Sequence, residues 1–127
     1  MSEFDPEVLE AAAREREVEL TTFGRRTGRP HRTTMWISSD GSRLFVRSGR
    51  GLVRDWPRNL LARAEAILHL GGRAVPVVAR HLTDAAEARA VTELVIRKYG
   101  STVRRAAGDG APTPAEQATF ELRPGDR

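Results

Sequence analysis

Thr21-Thr22-Phe23-Gly24-Arg25-Arg26-Thr27-Gly28-Arg29-Pro30-His31-Arg32-Thr33-Thr34-Met35-Trp36 is the stretch on which the reading of this chain turns. A β-like run enters a loop dense in glycine and arginine, and a second β-like run leaves it. Gly24, Gly28 and Pro30 let the backbone turn sharply and approach a ligand closely. Arg25, Arg26, Arg29 and Arg32, with hydroxyls beside them, suit an anionic group, most simply a phosphate.

Outward from this loop the pattern is one of short strands. Glu17 to Phe23 reads as the first, with Val18 and Leu20 alternating against charged neighbours. Thr33 to Ser38 reads as the second. Asp40-Gly41 is a hairpin signal, and Arg43 to Arg47 forms the third strand. Ala66 to Leu70 and Ala74 to Leu82 are the fourth and fifth, joined by a tight turn at Gly71-Gly72. Pro76 puts part of the fifth at a sheet edge or bulge. Ala118 to Leu122 is the last strand, followed by a tail from Arg123 to Arg127.

Helices fit between the strands. Asp5-Pro6 reads as an N-cap and N1 pair starting a charged helix over Glu7 to Arg16. Asp55 reads as the cap of a short helix through Trp56, Pro57, Asn59, Leu60 and Leu61. Thr83-Asp84 caps the longest, Ala85 to Tyr99, with Gly100 as its stop. Gly108 to Pro114 reads as a flexible loop. The expected fold class is α+β, an antiparallel barrel or sheet with helices at its periphery, in a single domain over residues 1–127.

Composition narrows the function classes. The chain of 127 residues is 39% hydrophobic and 30% charged, which favours a soluble globular class over disorder. No apolar run approaches the ~20 residues that span a bilayer. Met1 to Pro6 lacks a basic segment followed by an apolar one, and there is no cysteine. The expectation is a cytoplasmic protein without disulfides, thiol catalysis or thiolate metal sites. The net charge is +4, and Lys98 is the one lysine, so the basicity is carried by arginine. An anionic partner is implied: nucleic acid, a membrane surface or a phosphorylated ligand.

The residues offer little to a side-chain nucleophile. Histidines stand at 31, 69 and 81 without a GxSxG elbow. His69 falls inside a strand pattern and reads as structural; His81 ends a strand and reads as solvated or capping. No metal-ligand spacing joins the three. The acids fall mostly on the predicted helices, as solvated faces do. Phosphate binding is the stronger idea. Besides the first loop, Arg47-Ser48-Gly49-Arg50-Gly51 offers two guanidiniums, a hydroxyl and glycine amides able to form an anion-binding concavity. Met35 and Trp36 beside the first loop, and Trp56 after the second, supply an apolar wall for a planar ligand. Taken singly, each tryptophan reads slightly better as core.

These residues carry a resemblance. The Thr21-to-His31 stretch, Arg47-Ser48-Gly49, Asp55-Trp56-Pro57-Arg58-Asn59-Leu60 and Gly71-Gly72-Arg73 resemble the deazaflavin-dependent nitroreductase and quinone reductase family over about residues 17–100. That family belongs to the flavin-type split β-barrels, akin to pyridoxamine-phosphate oxidases. The resemblance implies a split barrel binding coenzyme F420, a deazaflavin with a phosphate and an acidic glutamyl tail. It implies hydride transfer to a small quinone, nitro or unsaturated acceptor, the cofactor carrying the chemistry. The implied cofactor-binding residues are Arg25, Arg26, His31, Arg32, Thr33, Thr34, Met35, Trp36, Arg47, Ser48, Gly49, Arg50, Trp56 and Asn59. Arg26 would face the tail, Thr33 to Trp36 the ring, and the Ser48 loop the phosphate, with Trp56 and Asn59 on the closing helix. His31 stands where many members carry arginine, and Thr34 where many carry proline. A homodimer is implied by the same likeness.

Related split barrels bind FMN, FAD or haem, so FMN is the alternative cofactor, and a carrier without turnover is a second functional class. Nucleic-acid binding through the basic loops is a third, although no nucleic-acid motif is present.

Overall fold

In the computed structural model, which describes residues 3–100 and 111–125, seven strands form one antiparallel sheet in the order β2-β1-β5-β6-β7-β4-β3. The strands are β1 Val18–Phe23, β2 Pro30–Met35, β3 Ser38–Ser39, β4 Leu44–Arg47, β5 Glu65–Leu70, β6 Arg73–His81 and β7 Thr119–Pro124. The helices are α1 Pro6–Arg14, α2 Asp55–Ala62, α3 Ala85–Tyr99 and α4 Pro114–Gln117.

The chain forces the sheet to curl. β2 and β3 are its opposite edges, yet only Trp36 and Ile37 separate Met35 from Ser38. Three Cα steps reach roughly 11 Å at most, so the two edges converge there. The result is a barrel left open along one seam, the expected α+β split barrel with peripheral helices.

The expected strand from Thr33 to Ser38 is therefore two strands on two edges. β2 starts earlier, at Pro30, and pairs only with β1, from Val18↔Met35 to Phe23↔Pro30. Ser38 and Ser39 pair instead with Phe45 and Leu44. At the break, the orphaned backbone of Ile37 is satisfied from α3. Tyr99 Oη accepts from Ile37 N at 3.2 Å and donates to Arg16 O at 2.6 Å, and Lys98 Nζ donates to Ile37 O at 2.8 Å.

The period of two along β4 divides the core between the sheet's faces. Leu44 and Val46 point inward with Leu20, Leu68, Val77, Phe120 and Leu122, closed by α1 and by Trp56 and Leu60 of α2. Phe45 points outward and meets Leu82, Val91 and Val95 under α3.

Other expectations need correcting. Neither Asp5 nor Asp55 caps a helix through its side chain: Arg54 occupies the cap of α2, and Asp5 pairs with Arg73. α1 ends at Arg14, two residues early. Asp84 does cap α3, accepting from Ala86 N and Glu87 N. Part of the expected loop before Pro114 is ordered by a capping box between Thr113 and Glu116; its residues 108–110 lie outside the described ones. The expected tail is partly strand, since β7 continues to Pro124; residues 126–127 lie outside the described ones. β6 is central, but Pro76 sits one residue beyond its ladder with β7, a local edge where its oxygen accepts from Gly125 N.

Candidate functional site

The open seam holds a cleft of about 700 Å³. One wall is Thr33 to Ser38, the end of β2 and the break after it. Phe45, Arg47 and the Ser48-Gly49-Arg50 loop line the cleft as well, with Arg54, Trp56, Val95 and Tyr99. Thr113 to Ala115 also line it.

A second cleft, about 570 Å³, lies under the β1–β2 loop and is lined by Arg25, Arg26, His31, Arg32, Thr33, Trp56 and Asn59 among others. Thr33 and Trp56 belong to both clefts. The structure thus divides the expected site residues into two adjoining groups. Thr34, Met35, Trp36, Arg47, Ser48, Gly49 and Arg50 are in the seam; Arg25, Arg26, His31, Arg32 and Asn59 are in the basic cleft.

The loop over the basic cleft is a six-residue hairpin connection, Gly24 to Arg29. Gly24 N donates to Arg29 O and Gly28 N to Gly24 O, and Gly28 adopts φ +72°, a region that suits glycine. Its arginines differ in how they are engaged. Arg25 donates to the Asn59 side-chain oxygen at 3.0 Å and lies 3.8 Å from the Asp55 carboxylate. Asn59, 3% exposed, donates in turn to Thr22 Oγ1 at 3.1 Å, so it braces Arg25 from within. Arg32 is ion-paired across the hairpin with Glu19. Arg26 is exposed and makes no ion pair among the described residues.

In the seam, Arg47 turns its terminal nitrogens onto α3, donating to Thr92 Oγ1 and Ala88 O at 2.8 Å each. Burial pulls its pKa down to about 10, against the opposing charge of Glu116. Arg47 therefore serves the wall more than a ligand. Arg50 and Arg54 are exposed at the cleft and form no ion pair among the described residues. Ser48 is buried and its amide donates to Ala118 O, while the amides of Gly49 and Arg50 have no partner among the described residues. Open amides in the cleft lining, with exposed Arg50 and Arg54 in the same lining, suit an anionic group.

The two tryptophans separate. Trp56 is 7% exposed and packs against Phe120, a core residue with one side in the clefts. Trp36 is 44% exposed, so the core reading fails for it. It lies flat on Tyr99, with ring centroids 3.9 Å apart and planes within 4°. The sequence marks Tyr99 only as the last residue of the longest helix, and it gives Arg54 no role. The signal for Tyr99 is that it is the one tyrosine of the chain, in the last turn of the longest helix.

The histidines lie apart from one another. His69 Nε2 sits 2.8 Å from Thr21 Oγ1 on the β1–β5 pair. His81 is half-buried rather than solvated, stacked on Phe120 with Nε2 2.8 Å from Gln117 O.

The sequence model of one family, described as "Uncharacterized protein conserved in bacteria (DUF2255)", matches residues 8–122. No curated protein sequence matches the chain. Among solved structures, the chain is similar to the heme storage protein HutZ from Vibrio cholerae, at 17% identity over 97% of this chain and 91% of that one, with a TM-score of 0.70. It is similar to an F420-H2-dependent reductase, FDR-A, at 18% identity over 85% and 94% of the two chains, TM-score 0.61. Another F420 reductase matches at 17% identity over 92% of each chain, TM-score 0.56. At these identities the likeness establishes the split-barrel fold, a scaffold that carries both reductases and a heme-storage protein.

Proposed function

The chain belongs to the DUF2255 family, and with its split barrel and paired clefts as premises we propose that it is an oxidoreductase using coenzyme F420 to reduce a small quinone, nitro or unsaturated acceptor. The observation that carries this reading is the junction of the two clefts at Thr33 and Trp56. A partly apolar cleft beside an arginine-rich one, with two lining residues in common, suits a ligand with a flat ring at one end and an acidic tail at the other.

The donor set is compatible with that group. Arg26 is uncommitted and Arg25 is braced at the tail end. The open amides of Gly49 and Arg50 suit the phosphate. Thr33, Thr34, Met35 and Trp56 offer the ring an apolar wall edged with hydroxyls. When bound, a reduced deazaflavin supplies a hydride; the chain's own part is to bind, orient and shield. A homodimer belongs to the same reading, since β2 and β3 are edge strands with free ladder groups, and light scattering of the purified protein would read its mass directly.

The test is a side-by-side titration with oxidised F420 and FMN. F420 should bind more tightly, because FMN has no glutamyl tail to reach Arg26. Arg26→Ala should weaken F420 about tenfold, the loss of one charge-assisted contact, and leave FMN unchanged. Ser48→Ala should weaken both. Equal affinities in all three proteins would remove the site assignment. Binding with no reduction of any quinone or nitro acceptor would make the protein a carrier instead.

A further inference from the structure

We propose that Trp36 is the platform on which the acceptor stacks, and that it selects flat, electron-poor rings. One face of the indole is covered by Tyr99, parallel and at 3.9 Å. A ring covered on one face keeps about half of its surface, and Trp36 keeps 44%. With one face taken by Tyr99, the face left for a ligand is the other, in a residue that lines the seam cleft.

The stack is built to stay in place. Tyr99 is held at its hydroxyl by Arg16 O and Ile37 N. The Arg16 guanidinium and Lys98 Nζ lie 5.0 and 5.1 Å from its ring centre. Trp36 itself is in the two-residue break between the sheet edges, whose backbone Lys98 and Tyr99 anchor to α3. An exposed tryptophan would ordinarily sample several rotamers; this one is fixed flat before any ligand arrives, which lowers the entropic cost of stacking on it. A rigid indole backed by a phenol presents an electron-rich face, and electron-poor planar rings stack on such a face in offset or parallel geometry.

Position separates this role from that of the cofactor wall. The two clefts share Thr33 and Trp56, whereas Trp36, the last residue of the Thr33–Trp36 segment, lies against Tyr99 of α3. A ligand whose tail lies on Arg25 and Arg26 enters from the Thr33 end and leaves the Trp36 end to a second molecule. The assignment of that molecule as the hydride acceptor rests on the reductase reading; the stacking itself does not.

The experiment is equilibrium dialysis of menadione, a flat quinone, and cyclohexenone, a puckered enone, against the cofactor-free protein. Wild type should bind menadione, Trp36→Leu should bind it at least about fivefold more weakly, and Trp36→Phe should restore most of the affinity. Cyclohexenone should bind all three alike. F420 affinity, measured in parallel, should change less than twofold in Trp36→Leu. Menadione binding unchanged in Trp36→Leu would overturn the proposal, as would an equal loss of F420 affinity, which would return Trp36 to the cofactor wall. If F420 fails to bind wild type while menadione binding still depends on Trp36, the platform stands and the cofactor reading falls.

Discussion

Asn59 holds Arg25 from inside the protein: its side-chain oxygen accepts from the guanidinium at 3.0 Å while its nitrogen donates to the buried Thr22 hydroxyl at 3.1 Å. One amide thus couples α2, β1 and the arginine loop. Its two bonds explain why an asparagine sits on the inward face of α2 beside Trp56 and Leu60. Asn59→Leu should cost about 1–3 kcal/mol, because Thr22 loses a partner at a fully buried position. Urea denaturation measures it. Arg25→Ala should cost less, about 0.5–1 kcal/mol, because the Asn59 oxygen it leaves faces the basic cleft, where water replaces the donor. Similar losses in the two variants would contradict the bracing role.

Lys98 has an equally specific geometry. Its ammonium donates to Ala12 O, Glu15 O and Ile37 O at 2.7, 2.6 and 2.8 Å. An ammonium has three protons, and all three are used. The two carbonyls at the end of α1 add the favourable pole of a helix dipole. Lys98→Met keeps the stem and should still destabilise by roughly 2–3 kcal/mol, since the Ala12 and Glu15 carbonyls lose their donor and Ile37 O keeps only the Tyr99 hydroxyl. In a domain of this size that is a drop in Tm of about 6–12 °C, read by calorimetry. A change under 2 °C would count against the tripod.

His69 sets a pH dependence. Desolvation holds its pKa below the ordinary 6.5, the nearby Arg32 charge lowers it further, and Glu19 opposes. The unfolded chain therefore takes up this proton first on acidification. Stability is full above about pH 6.5, declines between there and the lowered folded-state value, and levels off below it. Carboxylates titrate at lower pH in wild type and variant alike, so the difference between the two isolates the imidazole. His69→Gln should lose less stability than wild type between pH 7.5 and 5.5. Parallel losses in the two proteins would refute it.

Much of this architecture is legible in local chemistry. Alternating Val18 and Leu20 mark β1, paired glycines at 71 and 72 with φ of +57° and +74° mark the β5–β6 turn, and Asp84 marks the start of α3. Each depends on neighbours a few residues away, and propensity acts at that range. The failures share a different cause. The split of Thr33–Ser38 into two strands depends on α3, more than sixty residues on, supplying Lys98 and Tyr99 to the break. The order near Thr113 depends on its reciprocal bonds with Glu116, whose other carboxylate oxygen accepts from Thr92 of α3.

By itself, the sequence determined which segments are extended, where the chain turns, and that cations gather in two loops, because backbone conformation and charge are properties of short stretches. Tertiary structure alone decided which of those cations are available. Arg32 is neutralised by Glu19 across the hairpin, Arg47 is drawn onto α3, and Arg25 is braced by Asn59, while Arg26, Arg50 and Arg54 stay exposed without an ion pair among the described residues. It likewise buried Trp56 and laid Trp36 open upon Tyr99. Whether an arginine is spoken for, or a ring has a free face, depends on partners distant in sequence, and only the closing of the sheet around its seam brings those partners together.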